Sequence, residues 1–363
     1  MQEENIRKIP KAKIFFSRVK RKILKHTLIL RFSILLLGAF LIILVIYFCG
    51  LLFLRRTQVP LYLSLVNSFL FAPESKIESI GDRTNILVLC KNGQGNDSPD
   101  LTDNIIFVSI NHKNPRITMI SLPRDIWVSE LRAKLNSVYF WGNKKGEKGG
   151  LILAKAVVEE ILGEPVQYGT VIDFKGFIKI IDLLGGIEVD VERSFIDEKY
   201  PILGRENDEC EGDPEFRCRY ETIVFSQGKQ VMDGELALKF VRSRNAQGDE
   251  GTDFARTKRQ QKVIIAIRNR ILSKEIILSP RKLLALVISL HKNSETDIPP
   301  DGFAIIVRRI LQAKENIKSY ILAENFFISS PKSSQRDNLY VLIPRDESWN
   351  EIHTWVKGVF LIE

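Results

Sequence analysis

Histidine and cysteine are scarce, at four residues each in a chain of 363. His26, His112, His291 and His353 are scattered, and none neighbours a candidate serine or cysteine nucleophile. There is no CxxC pair, no HExxH, no GxxxxGK followed by Ser or Thr, and no GxSxG. Zinc-hydrolase, P-loop and serine-elbow chemistry therefore lack their motifs. Internal repeats and low-complexity tracts are absent too. An excess of one charge is missing from most of the chain: residues 1–31 hold ten of the 53 basic and two of the 44 acidic residues, a local +8 out of +9, which leaves +1 for the rest. A near-neutral large domain removes the main argument for nucleic acid as a partner.

What is present begins with an apolar run. Phe32–Leu54 is 23 residues without a charge, and about 20 apolar residues cross a bilayer as a helix. A signal-peptide core is shorter, roughly 7–15 residues, and ends at small residues; this run ends in Leu52-Phe53-Leu54-Arg55-Arg56. The organisation expected is a basic cytoplasmic tail over 1–31, a transmembrane helix over 32–54, a linker over 55–82 and an extracytoplasmic domain over 83–363. The larger positive flank stays cytoplasmic, so the domain lies outside. A membrane-surface role for the basic segment is compatible with that topology.

Beyond the linker, apolar runs alternate with helical periodicity, which predicts an α/β layered domain. Strands are expected at 85–89, 104–110, 116–122, 166–172 and 187–191, and helices at 151–162, 175–184, 253–272, 280–290 and 302–310. Cys210 and Cys218 bracket the turn-rich CEGDPEFRC inside an acidic insertion. In an oxidising compartment the pair suits a disulfide; two free thiols or a metal site remain open, the last without further Cys or His nearby. Cys90 is left as an odd thiol at a strand end.

Four clusters carry chemistry. Asp97, Asp100 and Asp103 lie in a polar loop entering a strand. Pro123-Arg124-Asp125 follows the strand over 116–122, and strand ends are where α/β sheets build sites. Arg242-Ser243-Arg244 would aim two guanidiniums together on an extended chain. Arg256 and Gln260 share a face at a helix start, with Asp253 and Arg259 beside them. Converging arginines repel unless an anion lies between them, and the guanidinium fork suits phosphate oxygens. A helix N-terminus adds N–H donors, and a carboxylate can hold Mg²⁺ against phosphate. The bland alternative is surface ion pairing with Asp249, Glu250 and Asp253, which contributes little.

The order and wording of these clusters resemble the LytR-CpsA-Psr family of envelope enzymes. The likeness rests on TDNIIFVSINHKNPRITMISLPRDIWV, KLNSVYFWG, IDFKGFIKIIDLLGGIEVDVER, FSQGKQVMDGELALKFVRSRN and DFARTKRQQKVI, closing with VLIPRDESWNEIHTWV. It spans about residues 85–355, with a motif core at 85–274 and a helical and strand extension at 275–363. The resemblance implies a central mixed β-sheet flanked by helices, preceded by one transmembrane helix.

It also implies transfer of a phosphate-linked glycopolymer from a polyprenyl diphosphate carrier to peptidoglycan, beside membrane lipid and without nucleic acid. Arg124, Arg242, Arg244 and Arg256 match arginines that grip the diphosphate, and Gln260 matches a polar partner. Asp103 matches an acid that holds Mg²⁺ (or Mn²⁺). Asp103, Arg124, Arg242 and Arg244 would carry the catalytic step. The chain departs from the family at Asn92, where a first acid is usual and a metal ligand would stand, and at Leu101, where Arg is common. Val138–Trp141 and Phe174–Phe177 are candidates for lining an isoprenoid cavity. The competing functions are a non-catalytic binder of polyprenyl-linked lipid and a membrane-tethered polyprenyl pyrophosphatase.

Overall fold

The computed structural model describes residues 11–56, 59–93, 98–202, 204–205, 207–313, 315–330 and 332–361. Two units divide the chain, Met1–Leu63 and Ser64–Glu363. Helix α1 (Lys11–Arg56) is continuous and contains a 20-residue stretch, Arg31–Gly50, long and apolar enough to cross a membrane. The basic segment is thus part of the same helix: no Gly or Pro interrupts residues 11–37, and Lys, Arg, Leu and Ile all continue a helix. Helix α2 (Val59–Phe71) follows. This helix lies inside the segment expected over 55–82 to join the membrane span to the domain. Pro60 falls in the first helical turn, where its missing N–H loses nothing, and Pro73 stops the helix one residue after Ala72.

The large unit opens with β1 (Arg83–Lys91), β2 (Thr102–Asn111) and β3 (Arg116–Leu122), then short β4 (Trp127–Val128) and β5 (Ala133–Lys134). Helices α3 (Val138–Lys145) and α4 (Gly149–Leu162) lead to β6 (Tyr168–Asp173) and α5 (Phe174–Leu183). Next come β7 (Ile187–Val191), β8 (Phe195–Pro201), β9 (Tyr220–Phe225) and β10 (Gly228–Met232). Helices α6 (Gly234–Arg242), α7 (Asp253–Ile271), α8 (Lys274–Ile277) and α9 (Pro280–Asn293) follow. The chain closes with β11 (Ser294–Thr296), α10 (Pro300–Gln312), β12 (Ile317–Ile321), β13 (Phe327–Ser330), β14 (Val341–Pro344) and α11 (Asn350–Leu361).

Six strands form the central sheet in the order β11-β6-β1-β2-β3-β12. It is mixed: β6 runs parallel to β1 and β12 parallel to β3, while β2 is antiparallel to both of its neighbours. The α/β reading with a mixed, helix-flanked sheet therefore holds. The C-terminal extension is more than an appendage, since its β11 and β12 supply both edges of that sheet.

The register sorts the two faces. Leu87, Phe107 and Ile120 pair across the sheet, as do Leu89, Ile105 and Leu122. All six are buried against α4, with Val158, Ile161 and Leu162, and against α11, with Ile352 and Val356. Their strand neighbours point the other way. On that second face Val88, Val108, Met119 and Ile172 are only half-buried. A second core joins α5, α6, α7 and the β7–β10 region, around Ile181, Phe225 and Phe240. Helices α5 and α6 approach closely because position 234 is glycine; a Cβ there would overlap the Ile178 backbone.

The insertion is ordered by β8 pairing with β9 and by a Cys210–Cys218 disulfide with Cα atoms 5.5 Å apart. Asp208 approaches both sulfurs, but these are spent in the bond, so the metal and free-thiol alternatives fall away.

Candidate functional site

Strands β1, β3 and β6 run in one direction, and their carboxyl ends deliver Asn92, Arg124 and Phe174 to one edge of the sheet, where α/β folds bind ligands. Strand β2 runs the opposite way and begins at that edge. Lys91 pairs with Thr102 and Cys90 with Asn104, which leaves Asp103 as the extra residue of a bulge. Bulges re-aim side chains. Here Arg124 donates from Nη1 to Asp103 Oδ1 at 2.6 Å, and Arg244 Nη2 stands 3.6 Å from Asp103 Oδ2. One carboxylate thus holds two guanidiniums that would otherwise repel. The Asp103 side chain keeps 24% exposure, so a ligand can reach it.

Arg242 is the last residue of α6, so the extended geometry expected for Arg242-Ser243-Arg244 is corrected to a helix end followed by a turn. Arg242 and Arg244 consequently point to different partners. Arg242 lies 4.6 Å from the centre of the Phe174 ring and 5.6 Å from that of Tyr200, and it donates to the Tyr200 hydroxyl at 3.3 Å. Burial raises the Tyr200 pKa against the pull of the Arg242 cation, so the phenol stays protonated.

The turn is built by Asp197, a residue to which the sequence offered no role. Its carboxylate is fully buried. Oδ2 accepts from Ser243 Oγ at 2.7 Å and from the N–H groups of Arg244 and Asn245 at 3.1 Å each, while Oδ1 accepts from Lys199 N at 3.0 Å. Asp197 and Tyr200 both come from β8, in the insertion. The segment's acidic composition gives no sign of which acid is buried, and only the fold shows that one of them turns inward.

Arg256 is 8% exposed in the first turn of α7, and Gln260 sits half-buried one turn later. Thr252 caps this helix, its Oγ accepting from Ala255 N at 3.2 Å. The side chain of Asp253 is outside the described residues. Arg259 is structural: it is 3% exposed and donates to the carbonyls of Phe240, Ser243 and Glu250 and to the Glu250 carboxylate. Burial lowers its pKa, but an arginine remains charged. Of the acids weighed for surface pairing, Asp249 pairs with Arg193 and Glu250 with Arg259.

Among the described residues, Asp103 is the carboxylate that a metal would find at the guanidinium pair. Asp100 is engaged by Lys91 at 2.9 Å, and Asp97 lies outside the described residues. The Asn92 N–H meets Leu101 O at 3.4 Å, which places Asn92 across the loop from the start of β2. Burial, helped by the Asp103 charge, pushes the Cys90 thiol up to about 12, so Cys90 offers no thiolate. Asp103 is a hard oxygen donor, as Mg²⁺ requires. With Asp103 as donor, the fit is to a cation completed by substrate phosphates and waters.

The residues picked to line a cavity divide. Val138 and Tyr139 belong to the first core, Trp141 is 47% exposed, and Phe174 and Phe177 pack on the second core. A cleft of about 470 Å³ lies between β7, α6 and α7, over Phe195 and Phe240, but it is walled by Glu192, Lys258, Arg259 and Lys262. Those charges do not suit an isoprenoid.

A model of the LytR_cpsA_psr family matches residues 70–357. The chain is 25% identical over 335 residues to a polyisoprenyl-teichoic acid–peptidoglycan teichoic acid transferase, TagU, of Oceanobacillus iheyensis, covering 89% of this chain and 92% of the relative. It is 30% identical over 203 residues to the corresponding TagV of Bacillus subtilis, covering 54% and 45%. The crystal structure of B. subtilis TagV superposes with a TM-score of 0.55 at 22% identity, covering 77% of this chain and 98% of that one. A structure of TagT bound to LI-WTA gives 0.52 at 20% identity, covering 78% and 93%. At such identities these two structures establish a shared fold.

Proposed function

We propose, from the premise that the chain belongs to the LytR_cpsA_psr family, that it transfers a phosphate-linked glycopolymer from a polyprenyl diphosphate to peptidoglycan. The observation that carries this reading is the pair of guanidiniums, Arg124 and Arg244, held on one carboxylate at the edge of the sheet. A diphosphate presents several anionic oxygens, and forked donors match them in pairs. Arg242 and Arg256 add positive charge from the end of α6 and the start of α7. The half-buried apolar side chains Val88, Val108, Met119 and Ile172 give the isoprenoid a place on the second face of the sheet.

In this mechanism the acceptor hydroxyl oxygen attacks the phosphorus that bears the glycan. The bond from that phosphorus to the bridging oxygen breaks, polyprenyl phosphate leaves, and the hydroxyl proton is lost to a carboxylate or to water. The arginines stabilise the charge that develops on both phosphates. Asp103 orients Arg124 and Arg244 and would hold Mg²⁺, with the Asn92 amide as a neutral neighbour. Bound there, the cation would neutralise phosphate charge. Asn92→Asp is expected to lower the Mg²⁺ concentration that supports half-maximal transfer, because ligand charge raises affinity. An unchanged Mg²⁺ titration would remove Asn92 from the metal site.

The same reading places the N-terminus in the cytoplasm and the large unit outside. The ten basic residues before the span and the Cys210–Cys218 disulfide support that orientation. Incubation with a polyprenyl diphosphate-linked glycan tests the reaction class. Polyprenyl phosphate should appear only when peptidoglycan fragments are added. Equal release without an acceptor would mean water is the acceptor, as in a pyrophosphatase.

A further inference from the structure

Helix α2 has two unlike faces. Leu65 and Ser68 are 3% and 2% exposed, and Ala72, one residue beyond the helix, is 6% exposed. This inner face is fastened to α10. Arg308 donates to the carbonyls of Phe69 and Ala72 at 3.2 and 2.6 Å, and Ser64 donates to Asp301 at 2.8 Å. Glu74, just past the helix, pairs with the buried Arg309. The adjacent arginines Arg308 and Arg309, which look like ordinary surface charge in the sequence, are the clamp that holds α2 in place.

The outer face is mostly apolar and bare, with exposed Asn67 as its polar residue. Leu63, Val66 and Leu70 are 64%, 43% and 55% exposed, and Phe71 is 75% exposed. At 3.6 residues per turn, Leu63, Val66 and Leu70 form one stripe opposite Leu65, Ser68 and Ala72. The helix VPLYLSLVNSFLF carries no charge at all. A soluble surface rarely leaves such a contiguous stripe uncovered.

Chain continuity identifies what covers it. Residues 57–58 alone separate Arg56, at the end of α1, from Val59, at the start of α2. Three peptide steps reach about 11 Å at most. Whatever bilayer the Arg31–Gly50 stretch crosses, α2 begins within that distance of the end of the same helix. The polar–apolar boundary of a bilayer, where interfacial helices bury their apolar faces by about 5–10 Å, falls in that range.

We propose that α2 is an interfacial helix that lays Leu63, Val66, Leu70 and Phe71 into the leaflet on the catalytic side, docking the large unit directly on the lipid surface. The clamp by Arg308 and Arg309 fastens α2 to α10 of the large unit. The inference rests on α1 as a membrane span.

Full-length protein carrying Cys49→Ser and Cys90→Ser, in vesicles of phosphatidylglycerol and phosphatidylethanolamine, takes a spin label at Val66→Cys, Leu70→Cys or Lys113→Cys. Labels at 66 and 70 are expected to be accessible to oxygen and shielded from a water-soluble nickel complex, while exposed Lys113 shows the reverse. Labels at 66 and 70 as open to nickel as Lys113 would overturn the proposal. Shielding from both reagents would overturn it too, by showing a protein partner such as a second copy. A label on the natural Cys49, with Cys90→Ser alone, reports the span itself. Cys49 outside the bilayer would mark failure of the anchor reading rather than of the docking.

Discussion

Arg124→Ala lowers transfer by a factor of about 10²–10³, the loss that follows when one preorganised donor to a developing oxyanion is removed. Arg124 follows the end of β3, and its Nη1 makes the 2.6 Å contact with Asp103. Removing it deletes one fork for the diphosphate. It also leaves Asp103 with Arg244 at 3.6 Å as its remaining guanidinium in the pair described above, so the second fork loses its alignment. Arg124→Lys restores little, because a lysine ammonium is a point charge that cannot grip two oxygens. Thermal stability should change little in either variant, as the pair is partly exposed and such pairs contribute roughly 0–1 kcal/mol. Initial rates with a polyprenyl diphosphate-linked glycan check this, alongside a melting curve. A rate within a small factor of the parent would remove Arg124 from the chemistry.

Asp197→Ala is expected to be the more damaging change to the fold. Its buried carboxylate accepts four hydrogen bonds, three of them from the Ser243–Asn245 turn. Deleting it strands buried N–H and O–H donors at about 1–3 kcal/mol each, and the sum after relaxation is on the order of 3–4 kcal/mol. The melting temperature should fall by roughly 5–15 °C. Asp197→Asn separates positioning from stability. The amide retains one acceptor oxygen for the turn but turns its NH₂ toward a donor. Stability should drop by about 1–2 kcal/mol, while KM for the lipid-linked donor rises and kcat changes less, because the segment carrying Arg244 loosens before the substrate binds. Equal loss in kcat and KM, tracking the unfolded fraction alone, would reduce Asp197 to a structural acid.

Local pattern carried much of this architecture. The runs over 104–110 and 116–122 are apolar on both sides and became the central strands β2 and β3. Helix α4 ends at Leu162 as Gly163 foretold, with that glycine at φ +70°. What escaped was decided by tertiary context. Strands β11 and β12, Ser-Glu-Thr and Ile-Lys-Ser-Tyr-Ile, are short and polar, and only their neighbours β6 and β3 make them strands. In the segment after the span, Pro60 falls in the first turn of α2 and Pro73 lies just past its end, so the prolines bound a helix that the sequence did not announce.

The site was half legible. Arginine order along the chain picked out Arg124, Arg242, Arg244 and Arg256 as candidates, and the fold brings Arg124 and Arg244 to Asp103. Side-chain direction was not readable, because Arg242 closes a helix whose last turn points it at Phe174 and Tyr200. The bulge that re-aims Asp103 leaves no trace in the residue pattern. Asp197 was hidden for a related reason: a lone acid in an acidic segment gives no sign of burial until its hydrogen-bond donors, more than forty residues away in the chain, are brought to it.

The central claim is that this site joins a glycan to peptidoglycan through phosphate. Its most direct test is mass spectrometry of the acceptor after full-length protein in vesicles has been incubated with a polyprenyl diphosphate-linked glycan, Mg²⁺ and peptidoglycan fragments. The account predicts a new species in which glycan and peptidoglycan share one phosphodiester, formed by the parent protein and absent with Arg124→Ala and Asp103→Ala. Tight binding of the lipid-linked glycan with no such species in the parent reaction would contradict it and leave a lipid-binding scaffold.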